Sequence, residues 1–150
     1  MDLILWRHAE AAIGEPDHGR VLTAKGHKQA KKMGEWLDRN VPDNCRILSS
    51  TAERCEQTAA AIGRKFKLVA ELAPGALPEE ILNIAGWPDA REAVIIVGHQ
   101  PVLGGVASML LSGSVQDWTI RKANMWWLTN RVKDDTAHAV LRAAMGPDFA

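Results

Sequence analysis

The chain has little cysteine, no net charge and no long apolar run. Of its 150 residues only Cys45 and Cys55 carry thiols. Two cysteines at this spacing make neither a zinc site nor a disulfide framework, and scattered thiols fit a reducing compartment. Lys plus Arg and Asp plus Glu each number 18, so the formal net charge is zero. That argues against a general binder of nucleic acid or of membrane surfaces, which shows a basic excess. It leaves room for a local cationic pocket. The N-terminal apolar stretch runs only from Leu3 to Trp6 with no basic residue before it, and nothing approaches the ~18 apolar residues that span a bilayer. The expectation is a soluble, cytoplasmic protein. No repeat or low-complexity tract is visible.

What is present is ordinary for a globular domain: 47% hydrophobic and 24% charged residues. The length predicts one domain over residues 1–150, taken as a monomer, able to bury roughly 68–70% of its unfolded surface without staples. Leu3 to Trp6 reads as a buried strand and Ala9 to Val21, with Gly14, Pro16 and Gly19, as a loop. Thr23 is placed to cap a helix whose apolar face is Ala30, Met33, Trp36 and Leu37 and which stops at Asn40 and Pro42. Arg46 to Ser50 is a second strand. Ser50 or Thr51 then caps a helix with Ala52, Cys55, Ala59, Ile62 and Phe66 on one face. Lys67 to Glu71 is a third short strand, and Glu79 to Ala85 one or two helical turns. Ala93 to Val97 is the clearest buried strand, followed by a helix from Val102 to Leu111 that uses Pro101 in its first turn. Met125 to Val132 and Ala137 to Ala143 read as a hairpin. Alternating strands and helices predict a single three-layer α/β/α domain around a mostly parallel sheet.

In such sheets ligands bind beyond the carboxyl ends of the strands. Three strands end there with reactive residues: Arg7-His8, Ser49-Ser50 with Arg54 one turn on, and Gly98-His99. Guanidinium groups match phosphate oxygens with a planar, always charged fork. A neutral imidazole is a nucleophile whose ordinary pKa lies near ~6.5, so attack should weaken as pH falls from about 8 to 5. Phosphoryl transfer asks for positioning and charge stabilisation, which such a set can supply through a phosphohistidine intermediate with no metal and no other cofactor.

Four segments carry a resemblance. Arg7-His8-Ala9-Glu10 resembles the Arg-His-Gly signature of the histidine phosphatase (phosphoglycerate mutase-like) superfamily. Leu22-Thr23-Ala24-Lys25-Gly26 with Gln29-Ala30 resembles the start of its first helix. Ser50 to Thr58 is similar to its Ser-Pro-x-x-Arg-x-x-Gln-Thr segment, and Gly98-His99-Gln100-Pro101 to its second-histidine motif. They occur in family order across about two thirds of the chain. The resemblance implies a phosphoglycerate mutase-like fold, with His8 as nucleophile, Arg7 and Arg54 clamping the phosphoryl oxygens, and His99 binding and polarising one of them. Arg20 sits where the short SixA-type phosphohistidine phosphatases carry a further phosphate-binding arginine. Glu10 is a candidate to bind substrate, tune His8 or orient a water.

Two substitutions depart from the pattern: Ala9 for glycine and Thr51 for proline. More telling, larger relatives that cleave phosphate esters carry a carboxylic acid after the third strand, where this chain reads Glu71 to Ala76 with Pro74 near the acid's place. The long insertion that caps those relatives is also missing. A phosphoramidate nitrogen leaves more easily than an alkoxide, so the resemblance favours a phosphohistidine-bearing protein as substrate. Two alternatives stay open. One is a small-molecule phosphomonoesterase or mutase acting on a phosphorylated metabolite, with Glu71, Glu79 or Glu80 as acid. The other is a non-catalytic phosphate-binding module. His18, His27 and His138 read as surface residues, and His8-x-Glu10 lacks further ligands at metal spacing. Lys25, Lys28, Lys31 and Lys32 form a wet helix face that can also steer an acidic partner.

Overall fold

Residues 1–150 are described by a computed structural model. The first strand, β1 (Asp2–Arg7), shows how the layers arise. Leu3 and Leu5 join one apolar cluster, Ile4 and Trp6 another. Successive side chains of a strand point to opposite faces, so these are the two sides of the sheet. Helices α1 (Ala24–Asn40) and α2 (Glu53–Ala60) bring Met33, Leu37, Cys55 and Ala59 to the Ile4 and Trp6 side. Helices α3 (Pro78–Ala85) and α4 (Val102–Ser112) bring Ile81, Ala85, Leu103 and Val106 to the other. Each fully buried Leu, Ile or Val stabilises by roughly 1.5–3 kcal/mol, so packing on both faces, more than helix propensity, holds the layers together.

The sheet has six strands in the order β3-β2-β4-β1-β5-β6. β2 (Arg46–Ser50), β3 (Lys67–Val69) and β4 (Val94–Gly98) pair parallel, with β1 beside β4. β5 (Met125–Lys133) and β6 (Thr136–Met145) form the antiparallel hairpin, turned by Asp134 and Asp135 with φ of 52° and 60°. This is the mostly parallel α/β domain read from the sequence. No helix is long and apolar enough to cross a membrane.

Several boundaries differ from the sequence reading. The third strand stops at Val69, because Ala70–Leu72 turns into a short 3-10 segment that buries Leu72. α2 starts at Glu53 with Ala52 at its N-cap, so neither Ser50 nor Thr51 caps it; the Ser50 hydroxyl instead accepts the Ala52 N–H at 3.2 Å. α2 ends at Ala60, and Phe66 packs from beyond it. Pro101 is the N-cap of α4 rather than its first helical residue.

The first helix begins as its sequence dictates. The Thr23 hydroxyl accepts the Gly26 N–H at 2.9 Å, and Gly26 lies so close to the Glu10 backbone that a Cβ would collide with it. Register places Arg7 opposite Gly98 and Ser49 opposite Val97. The residues that follow these neighbouring strands therefore leave the sheet at one rim.

Candidate active site

His8 leaves β1 with its backbone fixed from both sides. Its N–H donates to the Gly98 carbonyl and its own carbonyl accepts from Ala123 N–H, each at 3.1 Å. The next N–H, of Ala9, donates to the Thr58 hydroxyl at 3.0 Å, and that hydroxyl donates to the Arg54 carbonyl at 2.8 Å. The Gln57 side chain accepts the Leu22 N–H at 2.7 Å, and Gln29 accepts the Glu10 N–H at 3.0 Å. The Gln-Thr and Gln residues of the sequence motifs thus tie the loops around His8 together. Ala9 is fully buried with Leu22, Ala30 and Ala123, so the methyl group it has in place of glycine is used in packing.

The tautomer of His8 follows from one contact. Its Nδ1 lies 2.7 Å from the Ala9 carbonyl. A carbonyl only accepts, so Nδ1 carries the proton and Nε2 carries the lone pair. His99 stands across from it, with ring centroids 5.4 Å apart at 61°. His99 Nε2 is 2.8 Å from the Ser50 hydroxyl, and its Nδ1 is 3.5 Å from an Arg54 nitrogen. The guanidinium has only donors, so the arrangement is satisfied when His99 Nε2–H donates to Ser50 and Nδ1 turns its lone pair to Arg54.

Both imidazoles are held neutral. Burial, followed by the positive charge of Arg54, Arg7 and Arg20, lowers the pKa of His8 to about 4, although its bond to Ala9 pulls the other way. Burial, then His8 and Arg54, lowers His99 to about 3. The expectation that attack weakens between about pH 8 and 5 is therefore corrected: protonation of His8 in the free site is displaced below pH 5. The Cys55 thiol packs 3.5 Å from His99 Nε2, and burial pushes its pKa up to about 12, so it stays protonated.

The arginines are placed unequally. Arg54, 5% exposed, donates to the Asp17 carbonyl at 2.8 Å and to its carboxylate at 3.2 Å. Arg20 donates to the same carboxylate at 3.1 Å and to the Ala12 carbonyl at 2.8 Å. These two cations, Arg20 first, lower the pKa of Asp17. Arg7 donates through Nη1 to the Ile120 carbonyl at 3.0 Å, while its buried Nε has no partner. Glu10 does not join the imidazoles. Its carboxylate accepts from the Thr23 hydroxyl at 2.8 Å and lies 3.9 Å from Lys122 Nζ.

The structure thus gathers His8, His99, Arg54 and Ser50, with Arg7 and Arg20 at their sides. Asp17 was missed in the sequence, while its neighbour His18 is exposed, as the sequence suggested. They belong to a short 3-10 turn (Asp17–Gly19), and His18 is held by the Thr51 hydroxyl at 2.9 Å, the residue in place of proline. Only the spacing of Asp17 to Arg20 hinted at this. No group of three His, Cys, Asp or Glu side chains is arranged to hold a metal.

Two cavities border this centre. One, of about 380 Å³, is lined by His99, Pro78, Pro101, Val102, Val115 and Asp117 among others. The second, of about 780 Å³, lies by Arg7 and Glu10 and carries Lys25, Arg121 and Lys122. Glu71, Glu79 and Glu80 line neither, and Glu80 is engaged in accepting the Leu77 N–H at 3.2 Å.

Comparison with known proteins adds the family. Residues 3–77 match the model of the histidine phosphatase superfamily, branch 1. The chain belongs to that superfamily. An uncharacterized protein of Mycobacterium tuberculosis is 36% identical over 118 residues, covering 74% of this chain and 73% of the relative. The phosphohistidine phosphatase SixA of Escherichia coli is 27% identical over 122 residues, covering 75% of this chain and 76% of that protein. Among solved structures, protein histidine phosphatase SixA complexed with tungstate superposes with a TM-score of 0.78 at 22% identity, covering 99% of both chains. A mycobacterial glucosyl-3-phosphoglycerate phosphatase superposes with 0.70 at 18% identity, covering 95% of this chain and 97% of that one. The superfamily fold thus serves enzymes with different substrates, and the fold alone does not choose among them.

Proposed function

We propose that this protein is a phosphatase that removes the phosphoryl group from phosphohistidine on a protein, through a covalent intermediate at His8. The observation that carries the reading is a neutral His8 whose Nε2 keeps its lone pair, with the His99 ring centroid 5.4 Å from its own and Arg54 3.5 Å from His99 Nδ1. In this reading His8 Nε2 attacks phosphorus, and the bond to the leaving nitrogen breaks. Arg7 and Arg54 hold the phosphoryl oxygens, with Arg20 joining them once its shared carboxylate is displaced. The orphaned Arg7 Nε supplies a ready donor for such an oxygen. His99 binds another oxygen; an anion between the rings favours the protonated imidazole, so Nδ1 becomes a donor. Water then cleaves the phosphohistidine. Similarity to the SixA phosphatase supports the substrate class, as does the absence of Glu71, Glu79 and Glu80, the candidate acids for a departing alkoxide, from the lining of both cavities.

A second reading, a phosphomonoesterase for an anionic metabolite, draws on the basic cavity at Arg7. Incubation with labelled phosphohistidine proteins and with small phosphate esters separates the two. The expected result is an acid-labile label trapped on the wild type and absent from His8→Ala, with faster turnover of the phosphohistidine proteins. Faster turnover of a simple ester reverses the choice, and an equal label on His8→Ala removes His8 from the role.

A further inference from the structure

The cavity beside His99 has a chemistry that the phosphoryl site does not explain. Its walls are Pro78 at the start of α3, Pro101, Val102 and Gly105 at the start of α4, and Val115 in the loop that follows. None of its lining residues is Lys or Arg. The two glutamines there are already used. Gln100 donates to the Trp118 carbonyl at 2.9 Å and accepts the Gly104 N–H at 2.7 Å. Gln116 accepts from the Trp118 indole at 3.2 Å and donates to Ser114 at 3.3 Å. Asp117 remains the one formal charge on the wall. It is exposed and enters no salt bridge. An apolar cavity with one free carboxylate and no cation suits a flat, neutral or positively charged group and repels an anionic one.

We propose that this cavity is the leaving-group subsite, taking the imidazole ring of an N-phosphorylated substrate, with Asp117 as the charge partner of that ring. The inference rests on the phosphohistidine reading above and adds where the ring sits and what selects it. The cavity adjoins the phosphoryl site at His99, which lines it. The chemistry balances without a proton donor. In an N-phosphoimidazole protonated on its far nitrogen, the ring carries positive charge, and Asp117 accepts that N–H. As His8 Nε2 forms its bond to phosphorus, the P–N bond breaks and its electron pair returns to the ring. The imidazole departs neutral, keeping the proton on its far nitrogen. A carboxylate that favours the protonated ring therefore activates this leaving group and offers nothing to an alkoxide.

The test compares kcat/KM for N-phosphoimidazole and for phosphoramidate, which has the same P–N bond but only ammonia to fill the cavity. Asp117→Asn is expected to lower the preference for N-phosphoimidazole roughly 3- to 10-fold, the range of a single solvent-facing charge contact, and Asp117→Lys to lower it further. Gly105→Ala narrows the same space, because its Cβ would stand 3.3 Å from Pro78 Cγ and 3.4 Å from Val115 Cγ1. It too should lower the preference. Lys122→Glu, in the basic cavity, should not. A preference unchanged in all three Asp117 and Gly105 variants overturns the subsite, as does one that moves with Lys122→Glu instead. A wild type that hydrolyses both compounds equally overturns the subsite while the phosphatase reading stands. One inert on both compounds overturns both.

Discussion

Arg54 and Arg7 flank the same two imidazoles and are held in opposite ways. Arg54 is buried against Asp17, which accepts from it through both a carbonyl and a carboxylate. Arg7 has one carbonyl partner and a buried Nε with none. A guanidinium taken out of water is costly unless paired. On the Arg54 side the chain supplies the anion itself; on the Arg7 side a donor is left for an anion from outside. The site is thus half satisfied in advance, and the two halves should answer differently to mutation. Replacing either arginine by alanine should lower kcat/KM on the order of 10²–10³, the cost of removing one charge-stabilising donor. Arg54→Ala should be the more damaging, because it also leaves the Asp17 carboxylate next to the incoming phosphoryl group without its cation. Steady-state kinetics of the two variants decide this, and activity within threefold of wild type in either one breaks the clamp.

The neutral imidazoles between the arginines give a second way to test the arrangement. Their folded pKa values, about 4 and about 3, lie below the ordinary ~6.5 of an unfolded chain. Below pH 6.5 the unfolded state therefore binds more protons, so stability is full above that pH and falls as pH drops toward the folded values. The slope is up to about 1.4 kcal/mol per pH unit for each ring. Thermal unfolding between pH 6.5 and 5 should show it, and His8→Ala or His99→Gln should flatten the fall. An equal fall in both variants would remove these two rings as its cause. Sulfate, a dianion throughout this range, should bind more tightly as pH falls, since it favours protonated His99.

The parallel half of the molecule was legible for a physical reason. Short apolar runs such as Leu3 to Trp6 and Ala93 to Val97 fit only a sheet covered on both faces, and the fold rules then send Arg7-His8, Ser50 and Gly98-His99 to one rim. The loop from Ala9 to Val21 was not legible. Its structure rests on contacts distant in sequence, Arg54 to Asp17 and Thr51 to His18, and no periodicity encodes such pairs. Glu10 shows the same limit: two residues from His8, it faces Thr23 and Lys122 instead. Proximity in sequence named it, and the turn after β1 carried its side chain away. The pKa shifts were equally hidden, because burial of a side chain at a strand end depends on what packs over it.

If Asp17 is what makes Arg54 differ from Arg7, removing its charge should change both the penalty and the affinity. In an Arg54→Ala background, Asp17→Ala should restore roughly tenfold of the lost kcat/KM, because the uncompensated carboxylate goes with it; contacting charges of this kind couple strongly. The smallest effect expected is that of Asp17→Asn alone. The backbone carbonyl that holds one Arg54 nitrogen at 2.8 Å remains, so the guanidinium keeps its place while Arg54 and Arg20 lose a competing anion. Sulfate or inorganic phosphate should then bind about three- to fivefold more tightly by calorimetry, a range set by a single solvent-exposed charge contact. Weaker binding would mean that the carboxylate positions the two arginines more than it neutralises them, and the contrast between the two flanks would then be one of geometry instead of charge.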